Sequence, residues 1–458
     1  MDSLISRTDG IDIAAPVYSG PATVKPRSRR IIASLGPTLV IAISLGNLLL
    51  WLTAKPAGSP SVRYWGEFFG VEAVLLFSLS LVLITLITPI EHAFGGLDHV
   101  GIWHRRVAVL GTLLLVPHLA LVTSPASQFA TTLGMGLGVL ALLGLVFLAL
   151  WALAPSLRAT RWSRLLRHLA SLSHERWVTA HRLTGLFVAA AVVHGAIVDP
   201  VLRESAVLKV TYLIVGGVGI AAYAYRELLA RFVIPNYDYT VVDTQRPNDT
   251  TLTVRLEPTR DQITFVPGQF IFLSLGGSFG WQRHAFSVAS APTDRVLEVS
   301  IRSAGDFTSE LHDALRPGTP AKATGPFGGF DYRLGGREQI WIAGGIGITP
   351  FMSWIRSIDE SFDRDVRLYY SVAREADALY VSEIEGAHGV HESFVPRLLY
   401  TDRDGQLTAE KAMNDGSAGG DPWIYMCGPP GMMTSLSKGF RELGVPANRI
   451  RWEQFNIR

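Results

Sequence analysis

Two apolar stretches, each bounded by histidines, constrain this chain more than any other feature. His104 and His118 enclose Arg-Arg and then Val-Ala-Val-Leu-Gly-Thr-Leu-Leu-Leu-Val-Pro, and His181 and His194 enclose Arg and then Leu-Thr-Gly-Leu-Phe-Val-Ala-Ala-Ala-Val-Val; the intervals are 14 and 13 residues. At about 1.5 Å of helical rise per residue, each pair stands ~20 Å apart along its axis. That distance spans most of a hydrocarbon core about 30 Å thick. A coordinating side chain at such depth is costly and marks a functional site. A lone histidine there would read as a hydrogen-bonded core residue, but four at matched depths do not. If the two helices run the same way, His104 faces His181 at one level and His118 faces His194 at the other. Two stacked bis-histidine sites suit six-coordinate haem iron.

The 13-residue interval sets a condition. Fourteen residues return to within ~40° of the starting direction, whereas thirteen miss by ~140°. The second helix therefore needs a π-bulge, kink or tight turn to aim both rings inward, and Gly185 is the candidate place.

Composition narrows the class. At 458 residues the chain exceeds one compact core. Charged residues are 17% of the chain, as expected for a protein partly in lipid, and a net charge of +2 with no basic, aromatic-interleaved stripe excludes a nucleic-acid partner. The single cysteine, Cys427, rules out a disulfide framework and a Cys-ligated cluster, leaving histidine to carry any metal.

Residues 1–30 form a polar tail with no early apolar run. Apolar runs follow near 31–54, 70–90, 104–123, 132–154, 178–198 and 206–229, so 31–230 is predicted to be a six-helix membrane domain. Lys25, Arg27, Arg29, Arg30, Arg105, Arg106, Arg158, Arg161, Arg164, Arg167, Arg176, Arg226 and Arg231 crowd one set of loops, against Lys55, Arg63 and Arg203 on the other. The positive-inside bias places both termini in the cytoplasm. His104 and His181 become the inner site, His118 and His194 the outer.

The texture changes near Tyr237. Alternating segments at Tyr239–Val242, Thr251–Leu256, Phe270–Leu275 and Val296–Arg302 predict a small antiparallel β-barrel over 237–335. Strand–loop–helix units at Ile340–Ala343, Val366–Ser371 and Trp423–Cys427 predict an α/β domain with a parallel sheet over 336–458. Three motifs fall in these domains. Arg283-His284-Ala285-Phe286-Ser287 sets a cation, an aromatic and a hydroxyl at the spacing of a flavin's pyrophosphate, ring face and N5, though an ordinary strand also yields the pattern. Arg302 precedes Gly305-Asp306-Phe307-Thr308 at an apparent helix start, which suits a phosphate or a plain N-cap. Gly344-Gly345-Ile346-Gly347-Ile348-Thr349-Pro350, between a strand and a helix, allows close approach of a dinucleotide. Ser371 and Arg374 follow the second strand of that domain, where an adenosine ribose should lie. A guanidinium there suits the 2′-phosphate of NADPH, although Arg374 also has Glu375 and Asp377 as ion-pair partners.

In number and order these motifs resemble the ferric reductase and NADPH oxidase superfamily, a six-span haem domain fused to a ferredoxin-reductase-like module, over nearly all the chain after residue 30. His284-Ala285-Phe286-Ser287 is similar to the family's His-Pro-Phe-Thr, Gly305-Asp306-Phe307-Thr308 to its Gly-Asp-Trp-Thr, Gly345 through Phe351 to its nucleotide loop, and Cys427-Gly428-Pro429 to its Cys-Gly-Pro. Pro267-Gly268-Gln269-Phe270 and Gly325-Pro326-Phe327-Gly328 resemble further barrel signatures. The resemblance implies FAD, two haem b and NADPH, with NADH the alternative donor, and electron passage to a small-molecule acceptor on the outer face of a bacterial-type plasma membrane. It implies that Phe455, or else Trp452, stacks on the flavin and that Cys427 lies beside the nicotinamide. Superoxide-producing relatives carry an extra histidine where this chain has Val122, so dioxygen and ferric iron both stand as acceptors, with quinone or a partner protein behind them. A reading from another class is a haem-free, histidine-lined proton channel with a nucleotide-sensing domain.

Overall fold

The computed structural model describes residues 26–55, 61–122, 129–153, 174–415 and 422–453. Phe455 and the arginines from 158 to 167 lie outside the described residues.

The first half is helical: α1 Pro26–Thr53, α2 Ser61–Leu83, α3 Thr88–Phe94, α4 Leu97–Leu121, α5 Phe129–Leu153, α6 His174–His181, α7 Thr184–Val198, α8 Pro200–Glu204 and α9 Ala206–Ala224, which continues into a π-turn at Tyr225–Leu229. Among the described residues, six segments are long and apolar enough to cross a membrane, with α6 and α7 forming one of them. α2 is the central helix: 78% of its apolar window is buried, against 17–28% for the other five. Those five leave large apolar side chains such as Leu39, Leu113, Leu143, Leu186 and Ile214 exposed, which is compatible with a membrane setting. Val71, Val74, Leu75 and Phe77 of α2 pack with Leu145, Val188, Val192 and Tyr212 from the helices around it.

α2 begins at Ser61, well before the expected 70, and ends at Leu83. Its early turns hold Arg63, Glu67 and Glu72, which hydropathy penalises. In the structure Arg63 Nε meets Glu67 Oε1 at 3.3 Å and Asn47 Nδ2 donates to Glu72 at 2.8 Å, so the charges are paired rather than bare. After α2 the chain turns through Leu86 at φ 58°, and Pro89 opens the separate short helix α3.

The second half holds two sheets. β1 Asn236–Asn248, β2 Thr251–Pro258, β3 Phe270–Leu275, β4 Arg283–Ser287, β5 Leu297–Arg302 and β6 Pro320–Phe327 form an antiparallel sheet ordered β4-β3-β6-β1-β2-β5. A bridge between Val288 and Val299 joins its two edges and curls it toward a barrel. β7 Glu338–Gly344, β8 Asp365–Val372, β9 Phe394–Tyr400, β10 Trp423–Cys427 and β11 Ile450–Glu453 form a parallel sheet ordered β11-β10-β7-β8-β9. Its central strands are almost continuously apolar, with Ile340, Trp341, Ile342 and Ala343 all at 0% exposure, because helices cover both faces. β4, β6, β9 and β11 escape the hydropathy pattern. β6 and β9 contain prolines, β4 is an edge strand, and β11 has four residues.

The parts meet along two joints. Phe330 stacks on Trp354 at 4.5 Å, and Trp354 Nε1 donates to the Pro267 carbonyl at 3.0 Å, locking barrel to nucleotide domain. Phe270 and Phe327 of the barrel share one apolar cluster with Phe94, Leu97, Val100 and Val107 of α3 and α4, which Trp103, Phe272 and Ala285 border.

Candidate redox site

The four histidines meet in two pairs. His104 and His181 have ring centroids 6.2 Å apart with planes at 90°, and His118 and His194 stand at 6.5 Å and 82°. Two metal–nitrogen bonds of about 2 Å each, with a ring radius at either end, put axial imidazole centroids about 6 Å apart. The spacing therefore fits one metal atom held between each pair. Among the described residues no three His, Cys, Asp or Glu side chains cluster as a metal site. Two protein ligands per level match a macrocycle that fills the equatorial positions itself.

Backbone carbonyls orient three of the rings. His104 Nδ1 donates to Ser80 O at 3.0 Å, His118 Nδ1 to Gly66 O at 2.9 Å and His194 Nδ1 to Gly134 O at 2.8 Å. A carbonyl only accepts, so the proton sits on Nδ1 and Nε2 keeps its lone pair for a metal. His181 is held differently: Trp177 stacks on it at 4.7 Å and the Thr184 hydroxyl lies 3.5 Å from Nδ1. Two glycines make room for the outer rings. A Cβ on Gly70 would stand 2.6 Å from His118 Nδ1, and one on Gly138 would stand 2.7 Å from the His194 ring. None of these supports follows from periodicity, which sees neither carbonyl direction nor a cradle on a neighbouring helix.

The helix between His181 and His194 is broken. α6 ends at His181, the Leu183 amide bonds back to Ala180 O at 3.0 Å in a tight turn, and α7 restarts at Thr184. The Thr184 hydroxyl donates to the His181 carbonyl, which the break would otherwise strand. The break falls at Arg182–Leu183, not at Gly185. Gly185 serves packing instead, since a Cβ there would strike the Tyr223 ring.

In the barrel, His284 lies face to face with Phe307 at 3.7 Å and 11°, so β4 and the start of the Asp306–Ala314 helix (α10) converge. The Thr308 hydroxyl accepts from the Gly305 amide and closes that helix start. Phe286 packs against the barrel core. Ser287 is 3% exposed and its hydroxyl has no protein partner, which leaves a buried donor for a ligand atom.

The two glycine-bearing loops adjoin because β7 and β10 are neighbours. Gly344 ends β7 and Cys427 ends β10, and a Cβ on Gly344 would stand 2.7 Å from Pro429. Gly345 has φ 55°, which favours glycine, and a Cβ on Gly347 would collide with the Cys427 carbonyl. Thr349 and Pro350 open the Thr349–Ile355 helix (α11) and are both buried. Arg302 reaches over from β5, its Nη1 3.7 Å from the Gly345 Cβ position. Gly428 is packed onto Gly344. These loops lie at the carboxyl edge of the parallel strands, where open α/β sheets bind ligands.

Other expected residues lie less directly in this crevice. Cys427 is fully buried, and it is its carbonyl that faces the Gly347 turn. Ser371, 7% exposed, pairs with Gly344 one residue before the end of β8. Arg374 is exposed and bonds Asp377 through Nε at 3.2 Å and Nη2 at 3.3 Å. Trp452 is 37% exposed on β11.

Residues 236–331 match the family described as FAD-binding domain, and residues 341–438 match the oxidoreductase NAD-binding domain. The chain is 25% identical over 232 residues to the toluate 1,2-dioxygenase electron transfer component of Pseudomonas putida, covering 48% of this chain and 67% of that one. It is 28% identical over 246 residues to the propane 2-monooxygenase reductase component of Mycolicibacterium goodii, covering 50% and 70%. A cytochrome P450 reductase structure from Amycolatopsis is 26% identical, with a TM-score of 0.44 over 49% of this chain and 71% of that one. Residues 236–438 thus belong to a ferredoxin-NADP reductase-like FAD and NAD-binding oxidoreductase module, and the six apolar helices before it fit the ferric reductase and NADPH oxidase architecture.

Proposed function

We propose that the chain carries electrons from cytoplasmic NADPH, through FAD and two b-type haems, to an acceptor on the opposite side of a bacterial-type plasma membrane. The observation that carries this reading is the pair of facing imidazoles at two levels of one bundle, at 6.2 and 6.5 Å. Fourteen residues of α4 separate the levels by about 21 Å, and His104 lies between Trp103 and Val107, beside the barrel joint. When bound, flavin and haem supply the redox chemistry, hydride acceptance followed by single-electron transfer. The protein's own groups fix where that happens.

Ser287 offers its unpartnered hydroxyl to the flavin, with His284 and Phe307 as a stacked wall. Arg302 and the Gly344–Gly347 turn would hold the dinucleotide phosphates, Gly428 and Pro429 would close the nicotinamide side, and Cys427 would pack beneath it. Phe455 remains the proposed aromatic at the flavin face. Ser371 and Arg374 take the adenosine end, with Arg374 exchanging Asp377 for a 2′-phosphate. Changing Arg374 to Ala is expected to raise the Michaelis constant for NADPH at least about tenfold more than that for NADH; equal changes would remove the assignment.

The outer vestibule suits a small neutral acceptor, dioxygen, better than an anionic ferric chelate. Among the cations described at that end, Arg63 is paired with Glu67 at 3.3 Å, and Asp199 and Glu204 flank Arg203 in the chain. Reconstitution in liposomes tests the whole scheme. NADPH outside inverted vesicles should reduce cytochrome c trapped inside, and trapped dismutase should abolish that signal; trapped Fe(III)–EDTA reduced faster than dioxygen would reverse the order of acceptors, and no transmembrane reduction would end the proposal.

A further inference from the structure

We propose that Glu91 is a positioning residue that sets the flavin barrel in register with the histidine-bearing helix α4. This rests on the electron path proposed above. Glu91 sits on α3, between the second and third spans, and is 8% exposed. Its Oε1 accepts the Gly328 amide at 2.9 Å, across 237 residues of sequence. The Gly96 amide, at the N-cap of α4, bonds back to the Glu91 carbonyl at 3.0 Å, so the residue that holds Gly328 is also tied to the start of α4.

Gly328 is a convergence point. Its φ is 98°, and a Cβ there would stand 3.1 Å from both Glu453 Oε1 and the Phe270 ring. Its carbonyl accepts from Gln269 Nε2 at 3.1 Å, and Gln269 Oε1 in turn accepts the Val266 amide at 2.7 Å. The short helix α3, the barrel loop and the last strand of the nucleotide domain therefore meet around Gly328. The surrounding contacts of Phe94, Leu97 and Val100 with Phe270 and Phe327 are apolar and non-directional, so they hold the surfaces together without choosing a register. A buried carboxylate bonded to one particular backbone amide chooses one. Because β4 and its Ala285 border this same cluster, a slip at Gly328 moves the flavin strand relative to His104. A misplacement of about 1 Å can cost a reaction about a hundredfold.

The test uses full-length protein in lipid nanodiscs, with Glu91→Ala and the size-conserving Glu91→Gln. Amide hydrogen exchange at Gly328, read before any cofactor is added, should quicken about tenfold or more in Glu91→Ala, the fold-change for one lost bond to a carboxylate. In loaded protein, NADPH-driven ferricyanide reduction at the flavin should stay within about twofold, while haem reduction slows about tenfold. Glu91→Gln keeps a carbonyl acceptor and should restore most of both readouts, which also guards against simple misfolding. Unchanged exchange in Glu91→Ala overturns the proposal, as does faster exchange with unaltered haem reduction. A wild-type protein that takes up no haem defeats the electron path itself, and the exchange measurement then still decides whether Glu91 holds Gly328.

Discussion

At the residue scale, the informative side chains are those whose partners are incomplete or over-supplied. Ser287 is buried without a partner for its hydroxyl, so the apo protein gains nothing from that oxygen. Ser287→Ala should leave the apo melting temperature unchanged, or raise it slightly, while weakening FAD about tenfold, roughly one hydrogen bond's worth. Calorimetry and flavin titration read the two effects separately, and an apo protein destabilised without any loss of flavin affinity would contradict the assignment.

Glu298 is the opposite case. Burial pushes its carboxyl up, but Arg356 and Arg255 outweigh burial and hold it below the usual carboxylate range. Arg356 Nη1 meets Glu298 at 2.9 Å and Arg356 Nε meets Glu383 at 2.8 Å, while the Tyr380 hydroxyl donates to Glu298 at 3.2 Å. A depressed folded pKa means that this stabilisation is complete above the ordinary glutamate value of about 4.3 and is lost as pH falls through the folded value. Tryptophan fluorescence should show a melting temperature flat from about pH 7 to 5 that drops below about pH 4. Arg356→Ala strands the buried carboxylate and should cost about 3 kcal/mol at neutral pH. A variant as stable as wild type at pH 7 would show that the joint does not depend on this pair.

At the scale of elements, what was legible depended on whether the constraint was one-dimensional. The membrane makes polar residues expensive, so the four histidines stood out from their apolar surroundings. The 13-residue interval demanded a break, and a break is present between α6 and α7. Its position was not legible. It depends on the Thr184 hydroxyl reaching the His181 carbonyl and on Tyr223 occupying the space over Gly185, both side-chain facts. Trp177 behind His181, and Gly70 and Gly138 beside the outer rings, escaped for the same reason. The early start of α2 was hidden because hydropathy counts Arg63 and Glu67 as two penalties where the structure holds one ion pair. Inserting one alanine within α7, between Phe187 and Val192, should rotate His194 by about 100° and lift it about 1.5 Å relative to His181. The expected result is loss of the outer haem with the inner retained, read as pyridine haemochrome stoichiometry falling from two per chain to one. Two haems retained would mean that the break does not aim the rings.

At the scale of the whole molecule, the proposed electron path runs from the nucleotide domain through the flavin barrel into one apolar helical bundle. The dinucleotide loops lie at the edge of a parallel sheet, the flavin strand borders the joint with α4, and the paired histidines continue that line through the helices. The whole account depends on iron porphyrin between both pairs. The reduced-minus-oxidised spectrum of the purified full-length protein, with haem quantified per chain, tests this most directly. The account predicts a low-spin b-type signal at two haems per chain that falls to one in His194→Ala; no such signal, or a content unmoved by that substitution, would contradict it.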